Sequence, residues 1–249
     1  MPLSVKRVKV LKLQESSQWI EDNVVAEEPL RLSVNGKPIY ILRTPGEDVE
    51  LALGFLFSQG AISNIDDVIE LRREQATVIV KIRGNPPERD LINSACGMCG
   101  AQELLNLVNF SDNFKVRLDV LLSLPFKMRE MQALFNVTGG IHAAALFSAE
   151  GNLLWLSEDV GRHNAVDKVI GHFIIEGNIP KGILQVSGRA GYEIVQKAGA
   201  AKIPVLSAVS APSSMAVDAA DLLGLTLVGF SRGKELTFTL TLKRIMIID

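Results

Sequence analysis

Two cysteines three positions apart, in the run Ser94-Ala95-Cys96-Gly97-Met98-Cys99-Gly100, are the residues of this chain whose type and spacing are best suited to chemistry. Two thiols at that separation reach one external sulfur or metal atom together, and they are too close to close a long stabilising loop as a disulfide. Gly97 and Gly100 lack side chains, so backbone N–H groups can approach a sulfur anion there. A helix beginning near Ala101 would point its positive dipole end at the pair and favour the thiolate, the reactive form. A structural zinc site would need two further ligands, and His142, His163 and His172 are not paired at metal-ligand spacing. A thioredoxin-like dithiol should follow a strand in a βαβ unit, whereas this motif follows a polar, proline-containing stretch. Flanking glycines fit poorly with two thiols that merely pack as small hydrophobes. Spacing alone leaves sulfur transfer, redox chemistry and metal binding open.

Other polar groupings stand at strand and helix boundaries. In Thr138-Gly139-Gly140-Ile141-His142, paired glycines precede a histidine at the start of an apolar run, which reads as a turn into a core strand or as a site built on His142. The dense run from Glu158 and Asp159 through Gly161, Arg162, His163 and Asn164 to Asp167 and Lys168 enters a helix. It could bind an anion at the helix N-terminus with Arg162 and Lys168 adding charge. It reads equally as a capped helix with local ion pairs, Asn164 the cap and Asp167 an acidic first-turn residue. Ser187-Gly188-Arg189 and the run from Ser210 to Ser214 each follow an apolar strand and precede a helix, the edge where open α/β sheets bind ligands. Ser210 and Ser213 also suit helix capping. The segment Phe230, Ser231, Arg232, Gly233, Lys234, Glu235 ends a strand with a ring, a guanidinium and an ammonium together, which suits a base and its phosphates or a charged turn.

The elements that must hold these residues fall into two regions. Alternating apolar positions predict strands at 5–13, 29–34 and 39–42, with Asn35-Gly36 as a hairpin turn. A buried helix at 48–58, stopped by Gly60, and a strand at 77–82 complete an N-terminal α+β region rich in antiparallel sheet, residues 1–93. Its last residues, 83–93, are polar and proline-containing, in the manner of a linker. Residues 94–125 hold the cysteine motif and a connection. Residues 126–249 form an α/β domain. It has a helix near 126–135, a hairpin of 143–147 with 153–156, helices at 165–175, 192–200 and 213–223, strands at 182–186, 204–209 and 225–230, and an extension at 237–242 and 245–248.

The chain has 249 residues, 47% of them hydrophobic and 22% charged, enough apolar material for one large domain or two unequal ones. A formal net charge of -2 supplies no general field for nucleic acid, so any anion site must be local. Mean hydropathy is +0.23, yet the apolar runs fall far short of the roughly 20 residues a membrane helix needs. The N-terminal residues 1–13 lack the pattern of a secretory signal, which points to a cytoplasmic protein with no membrane partner.

Taken in order, these blocks resemble the formate dehydrogenase accessory sulfurtransferase family, FdhD/NarQ. The resemblance runs from Glu27-Glu28-Pro29-Leu30, Val34-Asn35-Gly36 and Arg43-Thr44-Pro45-Gly46 through the cysteine motif. It continues over Thr138-Gly139-Gly140 with His142, Glu158 to Ala165, Ser187-Gly188-Arg189 and Ser210-Ala211-Pro212. Ser157 and Ser231 depart from the family, where Arg and Cys are common. The resemblance implies a cytidine-deaminase-like α/β layer, a homodimer, and a carrier that takes persulfide sulfur from a cysteine desulfurase. The acceptor it implies is the bis-molybdopterin guanine dinucleotide form of the molybdenum cofactor, on the way to the formate dehydrogenase catalytic subunit. Cys96 would carry the sulfur with Cys99 as its partner, the stretch from Phe230 to Glu235 would hold a guanine dinucleotide portion, and no zinc would be bound. A zinc hydrolase of the deaminase type would need His-x-Glu before Pro-Cys-x-x-Cys, and here His142 is followed by Ala143-Ala144.

Overall fold

A computed structural model describes residues 3–13, 17–87, 91–92, 113–233, 236–238 and 242–247. The motif around Cys96 and Cys99 and the residues Lys234 and Glu235 lie outside the described residues.

The alternating N-terminal pattern folds as strands. β1 (Val5–Leu13) and β2 (Ser17–Val25) make a long antiparallel hairpin. β3 (Glu28–Val34) and β4 (Lys37–Arg43) make a tight one, with Leu32 opposite Ile39 and Leu30 opposite Ile41, all four buried. Its turn residues Asn35 and Gly36 both take positive φ, 50° and 86°, the backbone that matches a two-residue hairpin to strand twist. After α1 (Asp48–Ser58) and a 3-10 turn, β5 (Val68–Glu74), β6 (Thr77–Ile82) and β7 (Leu91–Ile92) complete a sheet ordered β5-β6-β3-β4-β7.

Beyond β8 (Val116–Arg117) come α2 (Leu118–Met131), α3 (Ala133–Thr138), β9 (His142–Phe147), β10 (Leu153–Asp159) and α4 (Arg162–Ile175). The chain continues through β11 (Ile183–Val186), α5 (Tyr192–Ala200), β12 (Val205–Ala208), α6 (Ser214–Leu223), β13 (Thr226–Gly229), β14 (Thr237–Phe238) and β15 (Ile245–Met246). The second sheet runs β10-β9-β11-β12-β13-β14, with β11, β12 and β13 parallel and β9 antiparallel to β11. β15 pairs with β8 instead. The mixed α/β class expected from the alternation is what the chain forms.

One apolar core joins the inner face of the first sheet, through α1, α4 and α5, to one face of the second. A smaller core seats α2, by Leu121, Leu124 and Met128, on the opposite face at Ala143, Ala145, Phe147, Ile183 and Val205. The crossing of α1 with α4 is tight. A Cβ at Gly54 would lie 1.8 Å from the Asp167 carbonyl oxygen, and one at Gly171 would lie 1.8 Å from that of Glu50. Two glycines facing each other's backbone let the helices touch along their main chains.

Three local features differ from the sequence-based expectation. The helix placed at 126–135 starts at Leu118, carries Pro125 inside it and breaks at Gln132 before α3. The apolar stripe of Leu121, Leu124 and Met128 packs whole on the sheet, which offsets the backbone hydrogen bond a proline removes. β2 and β5 are strands whose polar sequences, SQWIEDNVV and VIELRRE, hide the alternation, because most of their side chains face solvent. α4 begins at Arg162, ahead of Ala165.

Replacing Gly54 with Ala should force α1 off α4 and lower unfolding free energy by about 3 kcal/mol, the upper range for overpacking a tight core. Urea unfolding followed by circular dichroism measures it, and a midpoint within error of the wild type would contradict the close crossing.

Candidate functional site

The topology of the second sheet brings the singled-out residues to one edge. β11, β12 and β13 run parallel and end there, β9 starts there because it runs the other way, and β10 ends there because it reverses again. His142, the 158–164 loop, Ser187, Val209 and Phe230 therefore come from five strand ends to one rim, the place where α/β sheets hold ligands. Backbone bonds tie the loops together: Ser187 N–H donates to Ala143 O at 3.0 Å, Phe230 N–H to Ser210 O at 3.2 Å, and Ser231 N–H to Ala208 O at 2.9 Å.

A cleft of about 620 Å³ opens at this rim. Its walls are Pro125, Phe126 and Met128 of α2, Phe135 of α3, and Ile141 and Val160. His142, Ser187, Arg129, Gln132, Ser231 and Arg232 add the polar groups, and no carboxylate lines it among the described residues. Arg129 lies over the Phe135 ring at 4.3 Å, and Arg232 lies 5.5 Å from the ring centre of Phe230. Arg232 also donates from Nε to Val209 O at 3.2 Å. Phe230 takes φ of 52°, a left-handed backbone that turns the chain out of β13. Gly233 presses against Phe126, since a Cβ there would lie 1.9 Å from the ring. The arrangement offers apolar walls, hydrogen-bond donors and two guanidinium groups, a combination that fits a flat heterocycle carrying an anionic tail.

His142 sits half-buried, with Nδ1 3.3 Å from Ser187 Oγ, which itself accepts from Ala143 N–H at 2.9 Å. Burial, and then the Arg162 guanidinium and the neighbouring His163, hold the ring below the usual histidine range. Neutral at pH 7, its Nδ1 can accept the Ser187 hydroxyl proton.

The 158–168 run, read above as an anion site or as local ion pairs, is a buried structural clamp. Lys168, 1% exposed, directs its ammonium to Asp159 Oδ2 at 2.8 Å, Thr44 O at 3.1 Å and Glu158 O at 3.2 Å. Asp159, fully buried, also accepts from Thr44 N–H, Gly161 N–H and Asn164 Nδ2. Lys168 is thus unavailable to a ligand. Asn164 does not cap α4, because its amide donates to Leu42 O at 2.7 Å and to Asp159. Asp167 lies beyond the first turn, since α4 begins at Arg162; it is buried, takes both bonds from Lys197 at 2.7 and 2.8 Å, and accepts from Ser58. Glu158 caps α3, accepting from Leu134 N–H at 2.8 Å and Phe135 N–H at 2.9 Å. Ser157 accepts from Trp155 Nε1 and donates to Glu47 Oε1 at 2.8 Å, and burial pushes the Glu47 carboxyl above the usual range.

Of the residues singled out from sequence, His142, Ser187, Ser231 and Arg232 converge on the cleft. Gly188 abuts both His142 and Arg162, where a Cβ would stand 3.5 Å from each. His163 is directed away to Glu193, at 2.9 Å. The charge of Arg189 bears on Arg162, and Arg189 is exposed outside the cleft. Ser213 caps α6 by accepting from Ala216 N–H. Arg129, Gln132 and Phe135 were not anticipated as lining residues. The sequence pointed to a helix near 126–135, but nothing in it marked the break at Gln132 that starts α3 beside the cleft.

This fold defines a known class. A crystal structure of a protein from Desulfotalea psychrophila, provisionally named a formate dehydrogenase accessory protein, superposes with a TM-score of 0.85 at 24% identity, covering 98% of this chain and 100% of that one. A model of the FdhD/NarQ family matches residues 25–245, and the chain belongs to that family. Curated relatives named sulfur carrier protein FdhD include one from Sulfurisphaera tokodaii, 48% identical, covering 94% of this chain and 96% of that protein. Another, from Saccharolobus solfataricus, is 45% identical and covers 95% and 96%.

Two measurements test the electrostatics. Lys168→Met should remove about 3 to 5 kcal/mol of stability, because it strands a buried carboxylate; denaturant melts report it, and a loss under 1 kcal/mol would show Asp159 finding other partners. His142 should titrate below the ordinary 6.5 of histidine in an NMR pH series. The charged ring is disfavoured in the fold, so His142 costs stability as pH falls through its unfolded value toward its lower folded one.

Proposed function

We propose that this protein is a sulfur carrier of formate dehydrogenase maturation, acting as a sulfurtransferase. Full-length similarity to proteins named sulfur carrier protein FdhD carries the reading, with 48% identity over 245 residues in one case. The cleft at the sheet edge supports it by its apolar walls and guanidinium rim, which suit a nucleotide-bearing cofactor.

In this reading the Cys96 thiolate attacks the terminal sulfur of a persulfide on a cysteine desulfurase. The donor S–S bond breaks, the desulfurase cysteine leaves as a thiolate that takes up the proton, and a persulfide forms on Cys96. Attack of the Cys99 thiolate on the Cys96 sulfur then releases hydrosulfide toward the acceptor and leaves a Cys96–Cys99 disulfide for an external dithiol to reduce. The acceptor is the bis-molybdopterin guanine dinucleotide form of the molybdenum cofactor, bound as substrate by the cleft. Ser187, Ser231 and Arg232 hold it with the segment that continues to Lys234 and Glu235, and Phe230 supplies a ring at the rim. The protein works in the cytoplasm as a homodimer, and the β9 to β14 layer is the part that a cytidine-deaminase likeness describes.

Intact mass spectrometry after incubation with a cysteine desulfurase and cysteine tests this. The wild type should gain the mass of one sulfur atom, removable by dithiothreitol, and Cys96→Ala should gain none. A Cys96→Ala protein that still activates formate dehydrogenase in a reconstituted maturation assay would replace the carrier with a chaperone that only holds the cofactor.

A further inference from the structure

Gln185 and Ser207 are fully buried, yet Gln185 Oε1 and Ser207 Oγ have no hydrogen-bond partner among the described residues. The two stand side by side, Gln185 on β11 opposite Ser207 on the parallel strand β12. Alternation along each strand puts them on the same face as Ile183 and Val205, the face that α2 covers with Leu121, Leu124 and Met128. Neither lines the cleft: they lie one step of the pleat below Ser187 and Val209, which do. Gln185 Nε2 donates to Val186 O at 3.3 Å, which sets the orientation of the amide and leaves its oxygen as the unpaired end.

Buried polar atoms are normally bonded to protein or to ordered water, and an unpaired one destabilises the fold. Here an acceptor and a hydroxyl occupy neighbouring register positions in one layer, and no bond joins them. The residue opposite Gln185 on the other side, Ala145 of β9, is small and leaves space in the same layer. The helix above contributes a further acceptor. Pro125 has no N–H for the Leu121 carbonyl, and both residues are on the buried side of α2.

We infer that Gln185 and Ser207 hold one internal water molecule between the second sheet and α2. The water donates one proton to Gln185 Oε1, accepts from the Ser207 hydroxyl, and has its second proton for the Leu121 carbonyl. Three bonds of this kind are typical of a buried water. The donor and acceptor set selects a neutral molecule with two protons to give, because an anion would face the oxygens of Gln185 and Leu121. The water joins β11 to β12 beneath Ser187 and Val209, so it supports the floor of the cleft without entering it. The inference stands whether or not the protein carries sulfur.

A high-resolution crystal structure of the full chain and thermal unfolding of three variants test it together. The map should show a peak within about 3.2 Å of both Gln185 Oε1 and Ser207 Oγ. Ser207→Ala and Gln185→Met each remove one partner of the water and strand the other, so each should lower the unfolding midpoint by about 2 to 4 °C. The Val186 carbonyl keeps the Val209 N–H at 3.1 Å in the second variant. The double variant removes both partners and should melt closer to the wild type than the sum of the single shifts. Two unpaired atoms with no shared water give the opposite sign, because deleting either one relieves its cost. A map without the peak, a direct bond between Gln185 and Ser207, single variants that melt at or above the wild-type midpoint, or additive shifts overturn the site.

Discussion

The buried contact between Lys168 and Asp159 is the constraint from which the rest of this molecule follows. Each charge is expensive to remove from water, and each is repaid only by a full set of partners. The three ammonium protons reach a carboxylate and two backbone carbonyls, and the carboxylate takes two further backbone N–H groups and an amide. Those partners come from distant parts of the chain. Thr44 belongs to the loop that leaves the first sheet, Glu158 and Asp159 end β10, and Lys168 lies on α4. Lys168 and Asp159 both belong to the second layer, and their set of partners is complete only when Thr44 of the first region is seated beside them.

Apolar burial alone would not select that seating, because hydrophobic contact is proportional to area and has no direction. The glycine crossing of α1 and α4 brings the backbones close, and the Asp167 carboxylate, bonded to Lys197 and Ser58, locks α4 to α5 and α1. With both polar contacts on α4, its first turn has one position relative to the strand ends. That turn carries Arg162 and lies beside Gly188 and His142. The electrostatics at His142, set partly by Arg162 and His163, are therefore a consequence of docking between the two sheets.

How much of this could be read from the residues depended on how each one earns its place. Alternation with an Asn-Gly turn identified β3 and β4 because one face of that hairpin is wholly buried, and it missed β5 because VIELRRE turns mostly toward solvent. The strand-end segments at Ser187 and Phe230 were legible as an edge, since each apolar strand stops at a polar residue. The density of charge at 158–168 was visible too, but its use was not. Whether Lys168 meets a ligand or Asp159 depends on Thr44, 124 residues away in sequence, and no local pattern records that distance. Gln132 was invisible for the same reason: a glutamine in a helical run becomes a cleft residue only because the chain breaks there and Glu158 caps the next helix from β10.

The two polar regions differ in how completely their buried groups are paired. Around Asp159 and Asp167 the carboxylates and lysines are matched, as a buried network must be to stabilise a unique arrangement. A few residues away, across Glu158 and α3, Gln132 and Ser231 are as deeply buried yet have atoms without partners. Buried atoms without hydrogen-bond partners occur elsewhere too, at Arg162 Nε, Gln185 Oε1 and Ser207 Oγ, but Gln132 and Ser231 are the two of these residues that line the cleft. Leaving such groups unpaired costs stability in the free protein. The matched charges hold α4 against the strand ends, and the unmatched groups stand where the cleft opens.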